Sequence, residues 1–419
     1  MIDTVGYVLR LLARYWPLGV FALAITLIVL LWLTPVRWAP RSALPVLFGV
    51  LALIAAIAAA PAWSGITLIG AAIRDLGGAP LASGPYAVSR QSIVLDSVRA
   101  PIAADLWRPS SAAFSSSDAV SCNDALTGVA LPPALRRAHV ILYAPGWGQT
   151  RDDNSRAAAH LASQGYVVLA IDDISHDTPF ADASVEDEAA RNGSIDLSNA
   201  TAAATTLRIT NRRVALEAAK ALAALDALQT CAEATAPSWA AEVDFNRVGF
   251  LGFSHGGASA AEASLMDERI AAVVNLDGST FGSAGAEGPR SPYMTLLADF
   301  DPPSQRRMSS SRALEYEVTH RMAALDAERT RNAGTFAFLI RGAQHDALSD
   351  RYDAPHNFRK WLMLPPSRAR TIKLAYIGAF FDAYLRGGDG ALLRASDPPY
   401  DEVATASEIS AAVRNATAP

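Results

Sequence analysis

Apolar residues follow two regimes along this chain. Before residue 74 they run almost unbroken: positions 16–33 hold 18 uncharged, mostly apolar residues, and positions 42–73 hold 32 more. About 20 such residues are needed for a helix to cross a bilayer. The pattern predicts an N-terminal membrane anchor over residues 1–76, with two transmembrane helices at about 16–34 and 43–63. Residues beyond Pro61 are too few for two further crossings and are expected to form a kinked or interfacial end. A cleaved signal peptide would carry a shorter apolar run and a small-residue cleavage site, not a second apolar stretch. The implied location is a membrane, as a two-span protein with the bilayer as partner. Arg10 and Arg14 before the first span, Arg37 and Arg41 between the spans and Arg74 after the second nearly cancel, so they do not orient the pair.

After Gly77, Gly78 and Pro80 the runs become short and alternate with helical periodicity. Strands are predicted at 86–95, 102–107, 140–143, 167–171, 248–251, 271–276, 293–298 and 336–340. Helices are predicted at 155–163, 211–228, 257–266, 312–329 and 371–385. Uninterrupted apolar runs such as 167–171 are typical of strands buried on both faces, and strands alternating with helices build a parallel sheet. The expected fold is α/β, with a mostly parallel sheet flanked by helices over a catalytic domain at 77–395 and a C-terminal tail at 396–419. Sites in such sheets gather at the carboxyl ends of the strands.

A net charge of −5 leaves no basic surface to neutralise phosphates, which argues against nucleic acid as a partner. The Ser/Ala-rich stretch 110–121 reads as a solvated loop. Cys122 and Cys231 suit either one disulfide in an oxidising compartment or two free thiols.

The chemistry is concentrated at Gly252-Phe253-Ser254-His255-Gly256, a G-x-S-x-G run between a predicted strand and a predicted helix. A serine hydroxyl is a poor nucleophile. It needs a sharp turn that exposes it, backbone N–H groups for the oxyanion, a base within reach and an acid to orient that base. Of the histidines beyond the elbow, His345 follows the strand 336–340 by a short loop, where such a base belongs. His320 falls within a charged helix pattern, and His356 follows Pro355, in a loop or at a helix start. Two positions compete for the acid: Asp277 ends one strand, while Asp299 and Asp301 end the next. Spacing does not choose between them, because a strand-end aspartate is also a common turn former.

Two acidic clusters with histidine, Asp172/Asp173/His176/Asp177 and His345/Asp346/Asp350/Asp353/His356, lack the spacing of a zinc site. No metal and no cofactor is expected. Residues 180–208, polar and acidic, are placed to form either a lid or a plain surface loop.

The order of motifs resembles the platelet-activating-factor acetylhydrolase family of α/β-hydrolases, near the dienelactone-hydrolase-like esterases. The likeness runs from about Gly84 to Gly388. It is carried by Gly84-Pro85-Tyr86-Ala87-Val88, Asp105-Leu106-Trp107-Arg108-Pro109, Pro145-Gly146-Trp147-Gly148, the elbow, Asn275-Leu276-Asp277-Gly278 and Arg341-Gly342-Ala343-Gln344-His345. The resemblance implies the early acid, and so a Ser254, Asp277 and His345 triad. The oxyanion donors are expected to be the backbone N–H groups of His255 and Trp147. Pro145 and Phe253 stand where relatives often carry histidine.

The expected activity is that of a membrane-anchored serine hydrolase cleaving phospholipid-like or short-acyl esters. A general carboxylesterase or polyester hydrolase is the alternative within the class. A membrane-tethered binding protein without turnover, suggested by Pro145 and Phe253, is the alternative outside it.

Overall fold

The computed structural model describes residues 84–417, apart from 134, 136, 178, 193–195, 197–198, 280, 300–333 and 351–363. The expected anchor at 1–76, the predicted helix 312–329, and Asp301, His320, Asp353 and His356 lie outside the described residues. The expected membrane location is corrected: among the described residues no helix is long and apolar enough to cross a bilayer. The longest described helix shows why, since its 36 residues, Ala200–Thr235, are interrupted by Arg208, Arg213, Glu217 and Lys220.

The described strands form one ten-stranded sheet, β1 (Ala87–Asp96), β2 (Pro101–Ser110), β3 (Phe114–Ser121), β4 (Ala138–Ala144), β5 (Val167–Ile171), β6 (Val243–Phe253), β7 (Ile270–Leu276), β8 (Tyr293–Ala298), β9 (Thr335–Ile340) and β10 (Val403–Thr405). Their order across the sheet is β10-β9-β8-β7-β6-β4-β5-β2-β1-β3. Strands β5, β4, β6, β7, β8 and β9 pair in parallel, while β2 runs antiparallel to both β1 and β5. The central strands read as continuous apolar runs because helices cover both faces. On β4, Val140 and Leu142 enter one core and Ile141 and Tyr143 the other. One face is closed by helix α4 (Ala200–Thr235) through Ala218, Ala221, Leu225 and Leu228. The other is closed by α2 (Ser155–Ser163) and α8 (Pro366–Phe381). The remaining α-helices among the described residues are α1 (Cys122–Leu126), α3 (Ala183–Asn192), α5 (Pro237–Glu242), α6 (His255–Met266), α7 (Gly282–Glu287), α9 (Ala391–Arg394) and α10 (Ala406–Thr417).

Several elements differ from their sequence reading. The stretch expected as a loop at 110–121 holds β3, a mostly exposed edge strand paired with β1. Backbone hydrogen bonding to β1 sustains it, and a strand with no core face carries no apolar alternation to reveal it. Helix α4 begins eleven residues earlier than the predicted 211–228, at an N-cap where the Asn199 side-chain Oδ1 accepts from the Thr201 and Ala202 N–H groups. The polar stretch 180–208 thus contains α3 and the first turns of α4. Cys122 of α1 and Cys231 of α4 form a disulfide across 109 residues.

Candidate active site

Ser254 sits alone between the end of β6 and the start of α6, with φ 53° and ψ −120°. Such a backbone is strained for any residue with a side chain, at a cost of order 1–3 kcal/mol. Neighbouring structure holds it there. The Ser254 N–H donates to the Leu276 carbonyl at 2.8 Å. A Cβ on Gly252 would lie 2.1 Å from the Gly256 carbonyl oxygen, and one on Gly256 would lie 2.3 Å from that of Ala144. Both contacts are backbone to backbone, so neither partner can swing away, and the turn closes only with glycine on either side.

Parallel pairing of β6 with β7, β7 with β8 and β8 with β9 sets the carboxyl ends of four strands side by side. His345 opens a short 3₁₀ turn after β9, and Asp277 follows β7 directly. The His345 Nε2 lies 3.0 Å from Ser254 Oγ, and its Nδ1 lies 2.6 Å from Asp277 Oδ2. An ionised carboxylate only accepts, so Nδ1 carries the proton and Nε2 turns its lone pair to the serine hydroxyl. Asp277 is itself fixed: its Oδ1 accepts the Ala298 N–H at 2.9 Å, and its own N–H donates to the Leu296 carbonyl. Burial would lower the His345 pKa, but hydrogen bonding and charge from Asp277, with Asp346 and Asp153 behind it, overcome this and hold it above its usual value. The imidazole is still reachable, with its side chain 47% exposed.

The other described strand-end acid, Asp299, turns elsewhere. Its Oδ2 accepts the Gly342 N–H at 2.7 Å and its N–H donates to the Ala343 carbonyl. It pins the loop that carries His345 and does not join the relay.

Trp147 lies on the turn after β4. A Cβ on its neighbour Gly146 would come 3.2 Å from Ser254 Cβ, so this turn runs beside Ser254. Its shape is held internally, the Gly146 N–H donating to Gln149 Oε1 at 3.1 Å and the Gln149 N–H to the Gly146 carbonyl. His255 is the first residue of α6, where backbone N–H groups have no partner within the helix and the helix dipole is positive. The Trp147 and His255 rings lie 5.2 Å apart. Both expected oxyanion donors therefore belong to residues flanking Ser254.

The first acidic cluster is dispersed among cations. Asp172 pairs with Arg151, Asp173 with Arg213, and Asp177 with Lys220, while a His176 ring nitrogen meets the Gly148 carbonyl. In the second, Asp350 Oδ2 accepts the Arg156 N–H. Asp173, Glu217 and His255 do approach one another closely enough to share an ion, but the Arg213 guanidinium already bridges Asp173 and Glu217. Arg213 and Glu217 escaped the sequence reading because they lie within a helix taken as simply amphipathic. Their signal was there: both fall on the buried stripe with Val214, Ala218 and Ala221.

The fold is that of the α/β-hydrolases, and a family match supports a carboxylic ester hydrolase. Residues 114–297 match the family model of platelet-activating factor acetylhydrolase, isoform II. The matched segment carries Trp147, Ser254 and Asp277, and His345 lies beyond it. Among solved structures, a ferulic acid esterase from Streptomyces cinnamoneus is similar at 20% identity and a TM-score of 0.50, over 78% of this chain and 98% of that one. At that identity the likeness speaks for the fold. No curated protein matches the chain.

Proposed function

We propose that the chain is a serine esterase working through an acyl-enzyme, on short-acyl or phospholipid-like esters. Ser254 Oγ attacks the ester carbonyl carbon as His345 Nε2 takes its proton. Asp277 orients the imidazole and stabilises the imidazolium. The carbonyl oxygen, now negative, accepts from the His255 and Trp147 N–H groups. Collapse breaks the bond to the alkoxy oxygen, which leaves with the proton from His345. Water, deprotonated by the same nitrogen, then releases the acid and restores Ser254.

The observation that carries this reading is the unbroken relay of 3.0 and 2.6 Å contacts from Ser254 through His345 to Asp277, at a strained turn. The family match over 114–297 supports ester substrates. The two departures from relatives do not argue for a protein without turnover. The Phe253 ring packs at a tilt against that of His345, and the chain at Pro145 passes close enough to the elbow that a Cβ on Gly256 would lie 2.4 Å from its oxygen.

The test is labelling by a fluorophosphonate probe, with p-nitrophenyl esters of increasing chain length run beside a phospholipid bearing a short acyl group. Labelling and turnover that vanish in Ser254→Ala are expected, with rates falling as the acyl chain lengthens. Folded wild-type protein that neither labels nor turns over any ester would overturn the proposal.

A further inference from the structure

The two backbone donors assigned to the oxyanion come from separate pieces of chain, the turn after β4 and the first residue of α6. Their spacing is not set by any covalent link. A donor must lie within about 2.7–3.1 Å of the developing charge to act, so some structure has to hold these two pieces in register.

One buried side chain touches the first piece directly and reaches the second through a carboxylate. The Arg213 guanidinium lies over the Trp147 ring, its central carbon 4.1 Å from the ring centre. Its Nη2 donates to Glu217 Oε1 at 3.2 Å, and the other oxygen of Glu217 meets His255 Nδ1 at 2.8 Å and accepts the Ser259 hydroxyl at 2.6 Å. Nη2 also bonds both oxygens of Asp173 just past β5, and Nη1 pairs with Glu186 of α3. The second ring nitrogen of His255 is buried without a hydrogen-bond partner among the described residues, so the hydrogen bond that orients that ring is the one to Glu217. Arg213 has no exposed surface, and Asp173, Glu217 and His255 are each at least nine-tenths buried. Solvent and salt screen such contacts weakly.

We infer that Arg213 and Glu217 are positioning residues that set the distance between the two oxyanion donors, Arg213 by clamping Trp147 and Glu217 by clamping His255. The inference rests on the esterase reading, since it needs those two N–H groups to meet the reacting oxygen. Planarity is essential to it. A guanidinium stacks on an indole while its edge forks to carboxylates, and an ammonium cannot do both. A clamp of this kind acts on the tetrahedral state more than on the bound ester, whose carbonyl carries little charge.

Arg213→Lys, Glu217→Gln and Ser254→Ala test it, each checked for folding by circular dichroism. kcat and KM are measured on p-nitrophenyl butyrate, and the inhibition constant of a butylboronic acid, which adds to the serine as a tetrahedral adduct, is measured in parallel. Arg213→Lys and Glu217→Gln are expected to lower kcat roughly 10- to 100-fold, below the loss of a whole donor, with KM within about twofold. The boronic acid should weaken by the same factor as kcat/KM. A kcat within twofold of wild type in both variants overturns the inference, as does a fall in kcat with boronic acid affinity unchanged. Loss of the fold in both variants assigns the cluster to stability alone and also overturns it. Absence of Ser254-dependent turnover in the wild type instead brings down the esterase reading, and the positioning role with it.

Discussion

The ring of Phe253 lies against that of His345, with centroids 4.8 Å apart and planes inclined by 31°. Phe253 is the last residue of β6 and is fully buried, so the strand that leads into Ser254 also supplies the floor on which His345 rests. Removing that floor should act on both stability and rate. Phe253→Ala is expected to cost about 3–5 kcal/mol, as aromatic truncations in cores do. It should also lower kcat, since the freed imidazole samples orientations away from Ser254. Chemical denaturation and ester kinetics check the two effects, and a variant with wild-type kcat would show that the contact is packing only.

The two strand-end acids should separate cleanly. Asp277→Asn keeps the shape but no longer favours the tautomer with the proton on Nδ1, and a loss of about 10³- to 10⁴-fold in kcat is expected. Asp299→Asn weakens one hydrogen bond to Gly342, for a stability cost of about 1 kcal/mol and a kcat within a few-fold of wild type. The reverse ranking in a kinetic comparison would place the orienting acid on β8.

Activity should rise with pH. His345 must be unprotonated to accept the serine proton, and Asp277 holds its pKa above the ordinary 6.5. The acid limb of kcat/KM is therefore expected to have its midpoint above 6.5 in the wild type. Residual activity in Asp277→Asn should show that midpoint moved to lower pH. The same shift bears on stability with the opposite sense. The protonated pair is favoured in the folded chain, so its contribution is complete below the unfolded value and disappears as pH rises through the folded one. With the imidazole 47% exposed the contribution is small, so the rate profile is the better measurement.

The Cys122–Cys231 disulfide closes a loop of 109 residues. Loop entropy assigns such a closure about 4–5 kcal/mol, less any structure kept by the reduced unfolded chain. It ties α1 to the far end of α4, away from the part of that helix carrying Arg213. Replacing both cysteines by alanine should lower the melting temperature by several degrees while kcat at 25 °C stays within about twofold. Peptide mapping without reductant checks the linkage itself, and two free thiols in folded protein would contradict it.

Much of the sheet was legible because its central strands are short apolar runs punctuated by helical periodicity. The elbow was legible for a related reason, since glycines on both sides of Ser254 mark a turn that no other residue allows. The edge strand β3 was not, because its pattern is serine-rich and its stability lies in hydrogen bonds to β1 rather than in a buried face. The first turns of α4 were hidden among polar residues that also make good loops. The buried Arg213 and Glu217 were hidden by an expectation that charged residues on a helix face solvent.

Sequence alone determined much of the local geometry of this protein: the central strands of the sheet, where the chain turns sharply, and which serine is presented at that turn. Such features depend on residues within a few positions of one another, and local sterics and periodicity are enough to read them. Only the tertiary structure decided which aspartate meets His345, whether two cysteines 109 residues apart join, and which charge is buried beneath Trp147 and His255. Those outcomes depend on distances between segments remote in the chain, which sheet order and register set and no local pattern encodes.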